Sequence, residues 1–382
     1  MRFPGFEGDW ASSKLGEIAE LSKGTGISKD QRTAEGNPCI LYGELYTTYF
    51  TEIIDNVISK TNLDTKGLVK SKVNDIIIPA SGETAVDIST ARCVLKDNVL
   101  LGGDLNIIRL NKQDGKFFSY QLNGVRKKDI ARIAHGVSIV HLHGNALSQI
   151  VVNFPSRCEQ EKISSLMSLI DKRIAIQNKV IEDLKKLKTA LCEQLYNEHN
   201  PNSHIGDIIE QKSIRNRVGE DLKVLSVSNR YGFIEQSEQF EDLTVASEDT
   251  SNYKIVSLND FAYNPARINV GSVARLKYFD KGIVSPMYIC FHCKDNVRPE
   301  FLEYFFSTKF FYLEMEKRLE GSVRMCLSFE GMCNIPIHIP SYEMQMDIGK
   351  KITVLNDKLE LEESYSKNLK IHKQYLLSQL FI

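Results

Sequence analysis

Two long stretches of this 382-residue chain place apolar residues at helical spacing. The first follows Pro155-Ser156 and aligns Ile163, Leu166, Ile170, Val180, Leu184, Leu187 and Leu191 with no Gly or Pro among them, the pattern of an amphipathic helix. The second uses Ile348, Ile352, Leu355, Leu359, Leu369, Leu376 and Leu380. Pro followed by Ser suits a helix start, where unpaired backbone N–H groups need a cap. About 40 residues at 1.5 Å each make a rod of roughly 60 Å. An isolated amphipathic rod must bury its stripe, so the two rods are expected to pack on each other as an antiparallel coiled coil.

The remaining segments alternate short β-rich runs with turn residues. VNDIIIPA (73–80), CVLKDNVLL (93–101) and LNIIRL (105–110) predict strands in the first half. DFAYN, SVARLKYF and GIVSPMYICFH predict them in the second, punctuated by residues 265–271 and 280–282. A helical stretch follows each set, FFSYQLNGVRKKDIARIA and EFLEYFFSTKFFYLEMEKRLE, and then a loop and a strand.

The two halves repeat. FPSRCEQEKI (154–163) returns as IPSYEMQMDI (339–348), an offset of 185 residues from Pro155 to Pro340. At that offset Gly136-Val-Ser meets Gly321-Ser-Val, Leu142 meets Leu327, and Asn74-Asp75 meets Asn259-Asp260. Near the start the offset slips to 190, where LGEI (15–18) meets IGDI (205–208). The chain is thus two copies of one plan, a duplication instead of a solenoid. The expected fold class is α+β: two tandem mixed α/β domains, residues 1–155 and 198–340, separated by long helices at 156–197 and 341–382, with a pseudo-two-fold internal repeat. The polar link NEHNPNSH (197–204) marks the boundary between copies. If the helices run antiparallel about that axis, the equivalent Gln177 and Glu362 meet mid-rod, interrupt the apolar seam and fix its register.

Composition narrows the class. Hydrophobic residues at 42% and charged residues at 25% are ordinary for a soluble protein of two or three domains. No stretch reaches the roughly 18 apolar residues of a membrane span, and the start MRFPGFEGDWASSK has no signal-peptide core. Eight dispersed cysteines suit reduced thiols, so a cytoplasmic location is expected. The net charge of −1 announces no polyanion partner, although a neutral total can hide a local basic groove.

Catalytic signatures are missing. An amino-directed methyltransferase needs a Pro-Pro-aromatic loop around a flipped base, and Tyr263-Asn-Pro-Ala266 lacks the second proline. No phosphate-binding G-x-x-x-x-G-K-[ST] loop and no strand-linked G-x-G-x-x-G occur. Asp183-Leu-Lys185 lies on the helix and reads as a solvated face. Cys290-Phe-His-Cys293, with Cys326 and Cys333, raises a zinc reading, but strand positions three apart face opposite ways. No metal site is expected. His141-Leu-His143 would share one strand face, where the two imidazoles could make a weak metal pair or, as preferred here, polar groups facing solvent or nucleic acid.

RFPGFEGDWASSKLGEIAELSKG at the start, AYNPARINVGSVA (262–274), GSVRMCLSFEGMCNIPIHIP (321–340) and LLSQLF (376–381) together resemble a Type I restriction–modification specificity subunit. The likeness runs through both copies and both helices. It implies a non-catalytic subunit in which each variable domain reads one half of a split, asymmetric DNA target. The helices would space the domains and dock two methyltransferase subunits, and two restriction/translocase subunits could join. S-adenosylmethionine, ATP and Mg2+ would bind those partners, with no cofactor on this chain. Half-site spacing on duplex DNA follows protein geometry, about 34 Å per turn, so a rod of tens of ångströms suits the role.

DNA contacts need side chains that reach base edges or phosphates. In the first domain the candidates are Ser81, Glu83 and Thr84 of one loop, Tyr42 and Tyr46, and His135, Ser138, His141 and His143 of another. Glu83 could accept from a cytosine amino group or be a solvated turn residue. Lys23 and Lys29 flank a Gly-Thr-Gly loop and suit phosphate. The second domain offers Asn229, Arg230 and Tyr231, then Asn264, Arg267, Asn269 and Ser272, and Arg324. For Arg267 and Arg324, guanine reading, a phosphate contact and an internal ion pair all stay open. Two rival readings are the recognition part of a single-polypeptide restriction enzyme and a coiled-coil scaffold that binds only proteins. Salt-dependent DNA affinity separates the scaffold from the others.

Overall fold

The structure, a computed structural model, describes residues 2–136, 138–197, 200–229, 231–236, 250–321 and 324–381. The chain divides into two units, Met1–Lys179 with Ser364–Ile382, and Val180–Glu363. The long helices Arg157–Asn197 and Tyr342–Leu380 therefore each give one part to each unit. No described helix is long and apolar enough to cross a membrane.

The first unit is built on a five-stranded sheet ordered Ala19–Lys23, Leu105–Leu110, Asp75–Pro79, Arg92–Val94, Ile53–Ile54. All neighbours are antiparallel except the last pair. Side chains alternate between the faces of a strand, and here both faces are buried. Ile76, Ile78 and Ile108 join a core with Phe117, Phe118, Ile163 and Met167, whereas Ile77, Leu105 and Ile107 join a second core with Leu45 and Val99. That is why DIIIP is a continuous apolar run. Leu377, Leu380 and Phe381, from the second long helix and its end, complete the first of these cores.

The second unit repeats the plan. Its sheet runs Ile209–Lys212, Ile289–Cys293, Phe261–Tyr263, Val273–Arg275, all antiparallel. Phe261, Tyr263 and Phe291 face one core, and Ala262 and Cys290 the other. A second sheet, Gly232–Glu235, Val224–Ser228, Lys281–Val284, Lys254–Ser257, lies in the same unit. Both predicted post-sheet helices are split in two: Gly115–Asn123 with Lys127–Arg132, and Pro299–Phe305 with Lys309–Glu316. Gly124 ends one segment, and Thr308 starts another by accepting the Phe311 N–H at 3.1 Å.

The repeated motifs have repeated jobs. In LGEI and IGDI, the Glu17 carboxylate accepts the Lys14 N–H at 3.0 Å and the Asp207 carboxylate accepts the His204 N–H at 2.9 Å. A Cβ on Gly16 would lie 2.8 Å from Ser148 Cβ, and one on Gly206 2.8 Å from Cys333 Cβ, so close packing requires glycine at both. The Gln of the Pro-Ser phrase is buried in both copies, as Gln160 and Gln345. Gln160 Oε1 accepts the Asp114 N–H and Gln345 Oε1 the Arg298 N–H, each at 2.9 Å. Each glutamine thereby joins a long helix to the start of a domain helix, satisfying a backbone donor whose burial unpaired would cost about 1–3 kcal/mol.

Within the first unit Asp171 meets Lys373 at 2.7 Å and Asn178 meets Ser366 at 3.0 Å. One number rises as the other falls, so these segments run antiparallel. In the second unit Lys185 pairs with Glu363 at 2.6 Å, and Cys192 shares a core with Ile348 and Ile352. The inward positions are Ile174, Gln177, Ile181 and Leu184. Val180 and Leu187, expected in the seam, are exposed. A helix turns about 100° per residue, and stepping by three and four from Ile170 reaches 174, 177, 181 and 184, leaving 180 and 187 outside. Gln177 is buried, and Glu362 is largely covered and pairs with Lys358 at 2.5 Å.

Candidate nucleic-acid interface

The strand Asp75–Pro79 leads into Ala80 and the short strand Ser81–Gly82, which pairs with Val140–His141. His135 and His141 pair with each other through their backbones. His135 N–H donates to His141 O at 3.0 Å, and His141 N–H to His135 O at 2.7 Å. Gly136 makes this pairing possible: its φ is 136°, and an added Cβ would sit 2.0 Å from Ile139 O. Leu142 N–H donates to Ala80 O at 2.8 Å, and Asn106 Nδ2 to Leu142 O at 2.9 Å, so two loops are held as a pair.

The second unit has the same frame, each position 185 residues on. Glu320 and Cys326 exchange the two backbone bonds at 2.9 and 2.8 Å, Gly321 takes φ 122°, and its added Cβ would meet Arg324 O at 2.3 Å. Leu327 N–H donates to Pro265 O at 3.1 Å, the counterpart of Leu142 on Ala80. The partner loop is longer here. Asn264 N–H donates to Ser272 O at 3.1 Å, and Tyr312 OH donates to Asn269 O at 3.0 Å.

Most of the expected residues converge on these loop pairs. In the first unit Glu83, Thr84, His135, Ser138, His141 and His143 are exposed around the junction, with the His141 and His143 rings nearly parallel at 6.5 Å. Thr84 caps Ala85–Ile88 by accepting the Asp87 N–H at 3.1 Å. Tyr46 is half-buried with its hydroxyl beside Gly82. Burial pushes its pKa up, with Tyr42, Asp87 and Glu83 adding to the shift, so all four surround one spot. Lys23 ends its strand opposite Asn106, the residue that ties down Leu142. Lys29 opens the turn Lys29–Gln31, and no hydrogen bond or ion pair links it to the loop pair among the described residues.

In the second unit Arg267 and Arg324 are exposed, Asn269 is half-buried, and Asn229 lies beside Gly271. Tyr231 is exposed in the turn before Gly232–Glu235. Arg230 lies outside the described residues. Three candidates are buried and serve the loops themselves. Ser81 is strand-paired, Asn264 Oδ1 accepts the Ala266 N–H at 3.1 Å, and Ser272 Oγ donates to Val227 O at 3.3 Å. The sequence reading missed the exposed apolar residues on the same loops, Ile139, Val270 and Met325; the offset that aligns GVSIV with GSVRM was the signal that could have found two of them.

Cys290 and Cys293 sit on one strand but in different cores. Burial pushes each thiol up to about 12, opposite to what a thiolate ligand needs.

Comparison with known proteins gives a consistent answer. The family described as Type I restriction modification DNA specificity domain matches residues 7–186 and again 202–371. The chain is similar to the Type I restriction enzyme MjaVIII specificity subunit of Methanocaldococcus jannaschii, with 20% identity over 97% of this chain and 92% of that one. The crystal structure of the Type I restriction–modification S subunit from M. genitalium superposes with a TM-score of 0.65 at 17% identity, covering 98% of this chain and 96% of that one. A chain from a structure on complex assembly and conformational transition of the type I R-M system gives 0.56 at 15% identity, covering 97% of each.

Proposed function

This chain belongs to the Type I restriction–modification DNA specificity family, and from that premise we propose that each of its units reads one half of a bipartite, asymmetric DNA target. The observation that carries this reading is the duplicated loop pair. The backbone bonds that the two loop pairs share offer both units a like way to dock on a duplex, while different side chains, Glu83 with three histidines against Arg267 with Arg324, address different base pairs. The long helices set the distance between half-sites. The buried Gln177 and the inward Glu362 help fix their register, at some cost in stability.

The helices also dock the methyltransferase subunits. In the first unit Leu169 and Ile176 are 63% and 58% exposed, and in the second their counterparts Val354 and Leu361 are 61% and 64% exposed. Large apolar side chains repeated on a helix face and left in solvent mark an interaction surface. Two equivalent patches suit two copies of one partner. Replacing Leu169 and Ile176 by Asp is expected to reduce the complex from two methyltransferase subunits to one by native mass, with the melting temperature of the chain alone held within about 4 °C because both positions are exposed. Retention of two subunits would remove this face from the interface.

The chain itself is non-catalytic and acts in the cytoplasm. S-adenosylmethionine serves the methyltransferase partners, and ATP with Mg2+ the restriction subunits that join them. The test is a genome-wide map of methylated bases in cells making the chain with its methyltransferase, against methyltransferase alone. A new split motif with a fixed gap is expected; an assembled, active complex that adds no motif would refute the role.

A further inference from the structure

The two loop pairs share a backbone but not a charge chemistry. In the second unit four of the seven described arginines are already committed. Arg275 binds Glu300 and Glu303 at 2.9 and 3.0 Å, Arg318 binds Glu314 at 2.7 Å, Arg298 binds Glu300 at 3.3 Å, and Arg215 donates to Asn252 at 2.8 Å. Among the described residues of that unit only Arg217, Arg267 and Arg324 have no side-chain partner. Two of these stand on the paired loops, where the Leu327–Pro265 bond joins their segments. The first unit leaves no described arginine free: Arg109 is bidentate on Asp75 at 2.8 and 2.6 Å, and Arg92 is held by backbone carbonyls. Its loop pair presents the Glu83 carboxylate and the imidazoles of His135, His141 and His143.

An internal ion pair is thus removed from the alternatives for Arg267 and Arg324, leaving phosphate or base. Their neighbours separate those two. Val270 is 57% exposed and Met325 46%, each within three residues of a free guanidinium. Met287, 59% exposed, reaches the same loop through its sulfur, 3.8 Å from Asn264 Nδ2. A surface that only tracks phosphates faces a hydrated polyanion and gains nothing from bare apolar side chains. The floor of a major groove offers base edges and thymine methyls, against which apolar contacts and a desolvated, two-pronged donor both count.

Resting on the DNA-reading role proposed above, we infer that Arg267 and Arg324 read guanine in the half-site of the second unit. The guanidinium fork donates in parallel to O6 and N7 of one guanine, a pattern no other base presents in the major groove. A lysine at the same position keeps the charge but not the fork.

The test maps methylated bases for the full chain assembled with its methyltransferase subunits, comparing wild type with Arg324→Gln, Arg324→Lys and Arg267→Gln. Both side chains are exposed, so assembly and melting temperature report on folding separately. In each variant the preference for guanine at one position of one half-site is expected to fall about tenfold or more, with the other half unchanged and Lys behaving like Gln. If Lys restores the wild-type motif while Gln lowers methylation evenly at every site, the arginines are phosphate clamps and the inference is wrong. Unchanged motif and level in all variants would overturn it as well. A wild-type map with no split motif strikes the DNA-reading role itself, a result distinct from either.

Discussion

Lys373→Met is expected to destabilise the first unit by about 3–5 kcal/mol, the scale of breaking a buried ion pair from one side. Lys373 Nζ lies 2.7 Å from both Glu52 Oε2 and Asp171 Oδ1, and all three side chains are at most 12% exposed. Tyr120 OH adds a bond to Asp171 Oδ2 at 2.6 Å. Burial is the main force raising the Glu52 pKa, and Lys373 opposes it. Burial by itself would lower the Lys373 pKa, but Glu52 and Asp171 outweigh it and hold it above the ordinary lysine value. A raised lysine pKa stabilises the fold below the unfolded pKa and loses that contribution as alkaline pH passes through the folded one. Methionine leaves Glu52 and Asp171 buried without the lysine, which removes the charge that opposes burial at Glu52 and raises the Glu52 pKa further. Acid then relieves the variant, so calorimetry should find its melting gap from wild type narrowing between about pH 7.5 and about pH 5. A gap that is small and flat with pH would mean the network is energetically idle. In the second unit Asn356 stands where Asp171 does in the first, and Tyr304 bonds Thr353 at 2.9 Å and Asn356 at 3.1 Å. That cluster is neutral, so the pH effect belongs to the first unit alone.

Gly321→Ala should abolish reading by the second unit while sparing assembly. At φ 122° an L side chain is strained, and its Cβ would lie 2.3 Å from the Arg324 carbonyl oxygen, a backbone atom that cannot swing aside. Relief requires opening the Glu320–Cys326 bridge, which displaces Arg324 from the loop pair. A shift of about 1 Å in a reading group is costly to recognition, so methylation at the split motif should fall at least tenfold in a complex of normal composition. The matching change, Gly136→Ala, should do the same through the first unit. Normal methylation in both variants would show that the bridge does not position the reading groups.

The plan of the chain was legible because it was written twice. LGEI and IGDI, the Pro-Ser-x-x-x-Gln phrase and GVSIV against GSVRM all mark positions where both units make the same backbone contact, and an offset reveals such positions without knowing the contact. The strand DIIIP and the long helices were plain from their apolar patterns. Side-chain direction was harder. Val180 and Leu187 fit a helical period yet face solvent, since a period fixes spacing but not phase. Asn264 and Ser272 have the chemistry of base readers, but a loop as long as 264–272 consumes its own polar groups to hold its shape. The freedom of Arg267 and Arg324 could not be read from sequence at all, because it depends on which carboxylates other arginines have already taken.

The division of the long helices between units also dictates an order of manufacture. A ribosome delivers Val180–Glu363, the whole of the second unit, before it delivers the Ser364–Ile382 segment that belongs to the first. Until Leu377, Leu380 and Phe381 emerge, Phe117 lacks the Phe381 ring that rests 5.0 Å away, and Glu52 and Asp171 wait for Lys373. The unit synthesised first is the one that closes last, so a released chain ending at Glu363 keeps the whole of the second unit but a first unit without Lys373, Leu377, Leu380 and Phe381, open to chaperones and proteases.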